Sequence, residues 1–322
     1  MKLKTKTSII ENSISLKMAG SKGSLWKRIF QNYELYLFIL PAFLWFAIFC
    51  YVPMYGILLA FKNFMVTKGI LGSPWVGFKN FNEFFHAYYF KTLILNTVEI
   101  SLYTVVAGFP IPIILALMLN EVRSRRYKKI VQTVTYAPHF ISTVVLAGMV
   151  FIFLNPEFGM INAVIKSLGM TQIDFINKPQ FFQSIYVWSG VWQNTGWNSV
   201  IFFAALANVD PQLHESAVID GATKLKRIWY INLPVIMPTA IILLILNMGS
   251  IMSVGFEKVY LLQTLLNMDK SDVIATYVYR LGIQGGRYSF STAVGLFNSG
   301  INCILLIIFN SISKRVSEIS LW

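Results

Sequence analysis

The apolar residues of this chain come in long runs rather than in the short periodic patterns of half-buried strands or surface helices. Six predominantly apolar stretches stand out, at roughly 35–61, 93–119, 131–154, 184–208, 235–254 and 292–313. Each supplies about the 20 residues a helix needs to cross a bilayer. Pro41, Pro53, Pro110 and Pro112 fall inside two of them, which membrane helices tolerate when neighbouring groups satisfy the freed backbone. The pattern predicts an all-α membrane protein with six transmembrane helices.

Composition agrees with that pattern. Of 322 residues, 56% are hydrophobic and only 13% charged, with a mean hydropathy of +0.60; soluble domains carry about 25% charged residues. The net charge of +13 does not point to nucleic acid, because the charges fall between apolar runs rather than along one polar, aromatic-interleaved face. Seventeen Lys/Arg lie in the N-terminal tail, the segments after stretches two and four, and the C-terminus, against ten in the other three loops. The positive-inside bias puts both termini in the cytoplasm. The expected organisation is a basic cytoplasmic tail over 1–34, a helical membrane domain over 35–315 and a cytoplasmic end over 316–322. The first apolar stretch is too long for a signal peptide and reads as a retained helix. Cys50 and Cys303 lie far apart in apolar surroundings with no metal-type spacing.

The three outer loops run to about 30 to 40 residues each and are rich in aromatic residues. Loops of that length in compact proteins are usually functional. They suit either docking of an extracellular partner or an interfacial aromatic belt.

One inner segment, 210–234, reads as helix, turn, helix. Asp210 is a good N-cap and Pro211 suits the first helical position. Gly221 can take the left-handed conformation that ends a helix. A second amphipathic helix is expected over Thr223–Asn232, with Leu225, Ile228 and Trp229 on one face and Pro234 stopping it before the fifth stretch. The product is a short knob projecting into the cytoplasm.

Glu215, Ala217, Gly221, Ile231, Leu233 and Pro234 fall in step with the pattern Glu-Ala-Ala, three residues, Gly, nine residues, Ile, one residue, Leu-Pro. In this the segment resembles the EAA loop of permease subunits in binding-protein-dependent ATP-binding-cassette importers. Asp220 matches a residue common in sugar importers, and Ser216 replaces Ala with another small residue. The resemblance covers about residues 35 to 315. Tyr136-Ala137-Pro138, Gly255-Phe256-Glu257 and Tyr277-Val278-Tyr279 are similar to the maltose-type branch. Gly72 to Phe81 and Tyr127-Lys128-Lys129 look most like permeases for polysaccharide fragments and oligosaccharides.

The resemblance implies a second homologous permease, two separate ATPase subunits that hold Mg-ATP, and an extracellular sugar-binding lipoprotein, assembled in the bacterial cell membrane. It also implies that the knob seats in a groove of an ATPase, with Glu215 bonding at the socket, Gly221 allowing the bend and the Ala217 face permitting close approach.

The chain carries no Gly-x-x-x-x-Gly-Lys-[Ser/Thr] loop and no His-Glu-x-x-His pattern, so neither nucleotide binding by that route nor a catalytic metal has a motif to rest on. No cofactor and no enzymatic activity are expected of this chain. Sugar sites combine aromatic faces with a few amides and hydroxyls. The candidates here are Trp188, Trp192, Asn194, Trp197 and Asn198 in stretch four, Asn247 in stretch five and Asn298 in stretch six. Trp188, Trp192 and Asn198 are expected to share part of one helical face. The same residues equally suit helix packing and interfacial anchoring. Acidic residues are scarce in the stretches, Glu99 being the main exception. That scarcity and the EAA spacing weigh against the alternatives, an ion-coupled secondary transporter or channel, or a membrane assembly factor.

Overall fold

A computed structural model of the chain describes residues 32–317 and 319–322. The basic tail read from the sequence lies almost wholly outside these residues. Among them the protein is helical, with no strand and one isolated bridge, Lys62 to Trp75.

The chain divides into two units, meeting at Gly56 and Ile57. The first contains α1 (Tyr33–Phe46), followed by a π turn at Ala47–Tyr51. The turn precedes Pro53. A proline offers no amide and crowds the carbonyl four residues back, here Phe49, which lies within the turn. Widening the helix to π geometry accommodates that loss. The apolar side chains of α1 are exposed throughout.

The second unit is built from α2 (Lys79–Phe85), α3 (Phe90–Gly108), α4 (Pro110–Asn120), α5 (Arg125–Tyr136), α6 (Thr143–Leu154), α7 (Met160–Ser167) and α8 (Pro179–Leu206). It continues with α9 (Pro211–Ile219), α10 (Lys224–Arg227), α11 (Leu233–Met248), α12 (Phe256–Leu262), α13 (Met268–Ser271), α14 (Ile274–Tyr279) and α15 (Tyr288–Ser317). The long α8 packs against α3 and α4. Gly196 lets it approach α5 closely, since a methyl there would meet the Thr135 carbonyl oxygen at 2.1 Å.

Four continuous helical runs among the described residues are long and apolar enough to cross a membrane: Tyr33–Phe61, Phe90–Asn120, Lys224–Met248 and Tyr288–Ser317. The third predicted span, 131–154, is not one helix. α5 and its 3₁₀ extension to Phe140 meet α6 at 99°. The polar Arg125, Arg126, Lys128 and Lys129 hold α5 to one amphipathic face, and the 3₁₀ turn Ala137–Phe140 carries Pro138. α6 alone has 12 residues. α8 is longer than predicted, at 28 residues, but its Gln, Asn, Ser and Thr side chains lower its apolarity.

The three long loops read as outer are folded segments. In each, a buried asparagine amide ties distant carbonyls together. Asn80 donates to the Ala60 and Lys62 oxygens at 2.8 and 3.2 Å, and Asn162 to those of Leu154, Asn155 and Ile173. Asn267 reaches the Ile176 oxygen at 2.9 Å and that of Leu262 at 3.1 Å. From α3, Asn96 donates to the Asp269 and Asp272 oxygens. Each bond satisfies a backbone group that would otherwise be costly to bury. Asp272 also accepts from Arg280 at 2.6 Å and from Thr276 at 2.8 Å. Apolar packing completes these segments, with Phe84, Ile274, Phe290 and Val294 in one cluster and Phe182, Val259, Leu262 and Val273 in another.

Candidate functional site

Two sites emerge: the 210–234 element and a cavity beside α8. In the first, the local chemistry sets the shape. Asp210 Oδ1 accepts from the Gln212 amide at 2.9 Å, capping α9, with Pro211 in its first turn. Gly221 follows at φ 74°, in the left-handed region. The amides of Gly221 and Ala222 turn back to the Val218 and Ala217 oxygens at 3.1 and 2.8 Å, a Schellman-type ending. Thr223 then caps α10 by accepting from the Lys226 amide.

Pro234 does not stop the second helix. A π turn over Ile228–Asn232 joins α10 to α11, and the run continues from Lys224 to Met248. As at Pro53, the carbonyl four residues before the proline, here Tyr230, sits in the π turn, so the helix passes through. The expected apolar face is also divided. Ile228 packs inward near Leu206, Ile236 and Ala240, whereas Leu225 and Trp229 are exposed.

Apolar side chains of the element are exposed among the described residues: Leu213, Val218, Ile219, Leu225, Trp229 and Tyr230. Ile219 retains 85% of its surface. Glu215 and Asp220 are exposed nearby, and Ser216 Oγ returns to the Gln212 oxygen. Ile231 and Leu233 are half-buried at the base of α11, where Pro234 is exposed.

A brace missed in the sequence holds this element to the bundle. Glu121, at the end of α4, accepts from Arg227 Nη2 at 2.9 Å and from Asn232 Nδ2 at 3.2 Å. Asn232 is fully buried, and its Oδ1 and the Nε of Arg227 have no hydrogen-bond partner among the described residues.

The second site is a cavity of about 530 Å³ walled by α3, α4, α8, α11 and α12. Four of the sequence candidates line it: Asn194, Trp197, Asn198 and Asn247. His139, from the break between α5 and α6, stacks on Trp197 with ring centroids 4.7 Å apart and interplanar angle 2°. Its Nδ1 lies 3.0 Å from Asn194 Oδ1. Gln193 also lines the cavity and donates to the Ile141 oxygen at 2.8 Å. The break in the third stretch thus orients the polar wall of α8.

Trp188, Trp192 and Asn298 lie elsewhere. At about 100° per residue, Trp188 and Trp192 fall roughly 120° and 160° around the helix from Asn194, so they do not share the cavity face with Asn198. Trp188 lines an apolar crevice with Val150, Phe153 and Leu154 and donates from Nε1 to the Tyr103 hydroxyl at 2.8 Å. Trp192 is about half exposed. Asn298 is on α15, its Oδ1 buried without a partner among the described residues.

Lys258, one of the ten cations in the three longer loops, adds a charged group to this cavity. It sits on α12 between the fifth and sixth stretches, yet its ammonium packs on α8, donating to the Tyr186 oxygen at 2.7 Å and lying 4.6 Å from the Tyr186 ring centroid. Burial pushes its pKa down from 10.5 to about 8. It is the one charged side chain among the lining residues. Glu99, the acidic exception in stretch two, pairs instead with Gln183 and Lys270 at 2.7 and 3.2 Å.

Comparison with known proteins returns a consistent answer. Residues 108–318 match the family described as "Binding-protein-dependent transport system inner membrane component". The chain is 41% identical over 95% of its length to the polygalacturonan/rhamnogalacturonan transport system permease protein YteP of Bacillus subtilis, covering 95% of that protein. A bacterial ABC transporter involved in the import of the acidic polysaccharide alginate has a chain of similar fold, with TM-score 0.85 and 41% identity over 92% of this chain and all of that one. The alginate transporter in complex with an alginate pentasaccharide-bound periplasmic protein gives 0.86, with 40% identity over 93% of this chain and all of that one.

Proposed function

The chain belongs to the binding-protein-dependent transport system inner membrane components, and from that premise we propose that it is a permease subunit of an ATP-driven oligosaccharide importer in the bacterial cell membrane. It works with a second homologous permease, two ATPase subunits that bind and hydrolyse Mg-ATP, and an extracellular sugar-binding lipoprotein. The chain itself is not catalytic. The loop charges support six crossings with both termini inside, the third including α6 after the bend at Phe140–Thr143.

The 210–234 element docks on the ATPase. Glu215, Ser216, Ala217, Asp220 and Gly221 form its contact and turn, while Ile231, Leu233 and Pro234 carry it into the spanning helix. The observation that carries this reading is the capped element with its exposed apolar side chains, braced at its base by Glu121. A protein surface of that character marks an interaction site. Sugar passes along the cavity lined by Asn194, Trp197, Asn198 and Asn247, where an aromatic face and amides suit pyranose rings and hydroxyls.

Purification of the tagged chain in mild detergent, followed by mass spectrometry, tests the assembly. Recovery of an ATPase and a second permease, with ATP hydrolysis stimulated by loaded binding protein after reconstitution, is the expected result. A stable complex lacking any ATPase, under conditions that preserve known importers, would favour an ion-coupled transporter instead.

A further inference from the structure

Even a partly buried ammonium loses hydration that a partner must compensate. Lys258 has one carbonyl acceptor, the Tyr186 oxygen at 2.7 Å, and the face of the Tyr186 ring. An ammonium has three donor hydrogens, so this acceptor leaves further donor capacity. No carboxylate lies within ion-pair distance of it among the described residues, where the acidic partners of Arg227, Lys270, Arg280 and Arg287 are all accounted for. Lys258 is part of the cavity lining, so a ligand in the cavity can reach it.

The neighbouring backbone leaves room for the group. Gly190 on α8 also lines the cavity, and a methyl on it would come within 2.9 Å of Lys258 Nζ. The rest of the wall is neutral: Trp197 provides an aromatic face, and Gln193, Asn194, Asn198 and Asn247 provide amides. Those groups suit any sugar. The single cation adds discrimination for a ligand that brings an anion.

We propose that Lys258 reads the carboxylate of uronic-acid residues, so that this cavity favours acidic over neutral oligosaccharides. The inference rests on the importer reading and adds its substrate class and a specificity residue. The carboxylate completes the charge balance at Nζ, while the ring stacks and hydrogen-bonds along α8. A purely structural lysine, tying α12 to α8 through Tyr186, would contribute equally to transport of charged and uncharged sugars.

The test uses the complete complex with its partner permease, ATPases and binding protein in proteoliposomes. Initial uptake is measured for labelled tri-galacturonate and for its carboxyl-reduced trimer, with the wild type, Lys258→Arg and Lys258→Gln. Lys258→Gln is expected to raise the half-saturating concentration for tri-galacturonate by roughly ten- to a hundredfold, the range for a lost charge-assisted hydrogen bond. The reduced trimer should change less than threefold, and Lys258→Arg should keep most of the preference. Equal effects of Lys258→Gln on both trimers, or none on either, would overturn the assignment. So would wild-type uptake of the reduced trimer alone, leaving the importer reading intact. If the assembled wild-type complex shows no sugar-stimulated ATP hydrolysis with tri-galacturonate, its reduced trimer or maltotriose, the importer reading falls and this inference with it.

Discussion

Arg227 donates to Glu121 across 2.9 Å, joining the second helix of the exposed element to the end of α4, 106 residues away in sequence. The two side chains are only 17% and 14% exposed. The bond therefore belongs to the partly buried class that suffers when one partner is removed. With Asn232 on the second carboxylate oxygen, Glu121 fixes where the element leaves the bundle.

Glu121→Ala should lower thermal stability in detergent, because two donors lose their acceptor at a cost of about 1–3 kcal/mol each. In the reconstituted complex, basal ATP hydrolysis should persist while its stimulation by loaded binding protein falls. An unchanged melting temperature together with full stimulation would show that the brace is dispensable.

Glu215→Lys should leave the chain in the membrane at wild-type abundance and reduce the ATPase recovered with it. Gly221→Val should do the same through the turn, since a β-branched residue is strained at φ 74°. Gly221→Asn should be milder, because asparagine tolerates that conformation. Quantitative co-purification distinguishes these cases, and equal ATPase recovery from all three would refute the docking role.

Trp197→Ala should slow sugar uptake more than Trp188→Ala or Trp192→Ala. Trp197 lines the cavity and is backed by His139, whereas the other two lie outside that wall. Loss of a stacking face corresponds to roughly tenfold in half-saturating concentration. The ranking of the three variants is the check.

Lys258 makes opposite predictions for stability and for uptake as pH rises. Its folded-state pKa of about 8 lies below its ordinary 10.5, so between these values the unfolded chain holds more protons and stability increases with pH. Over the same window the ammonium is lost, and uptake of an anionic sugar should decline above pH 8. Tyr186, whose ring faces the ammonium, is the other titratable group lining the cavity. Lys258→Arg should flatten the uptake profile relative to wild type, since arginine stays charged throughout. Parallel profiles for the two proteins would exclude this origin.

The 210–234 element was legible because its determinants are local: a cap at Asp210 and a left-handed turn at Gly221. Apolar stretches likewise locate most of the helices, as residue type alone decides burial in lipid or core. The bend after Phe140 was hidden, since the predicted stretch 131–154 begins past the charged residues 125–129 of α5 and joins its apolar end to α6. Glu121, His139 and Lys258 were missed for a different reason. Each matters through a partner 55 to 106 residues distant, and nothing in the flanking residues specifies that meeting. The two tryptophans placed with Asn198 show the limit of spacing arguments. A helix of 28 residues presents every direction, and only its neighbours decide which one faces a cavity.

The passage of the helix through Pro234 sets the mechanical character of the subunit. A hinge at that proline would let the docking end swivel while the spanning part stayed still. Instead, 25 residues from Lys224 to Met248 form one continuous helical run, which would serve as a lever about 37 Å long at 1.5 Å per residue. A tilt of about 5° displaces its far end by roughly 3 Å, about half a helical turn. Asn247, at the distal end of that lever, is part of the cavity wall. On the proposed function, a small stroke at the docked end would therefore change the width of the cavity that Asn247 lines.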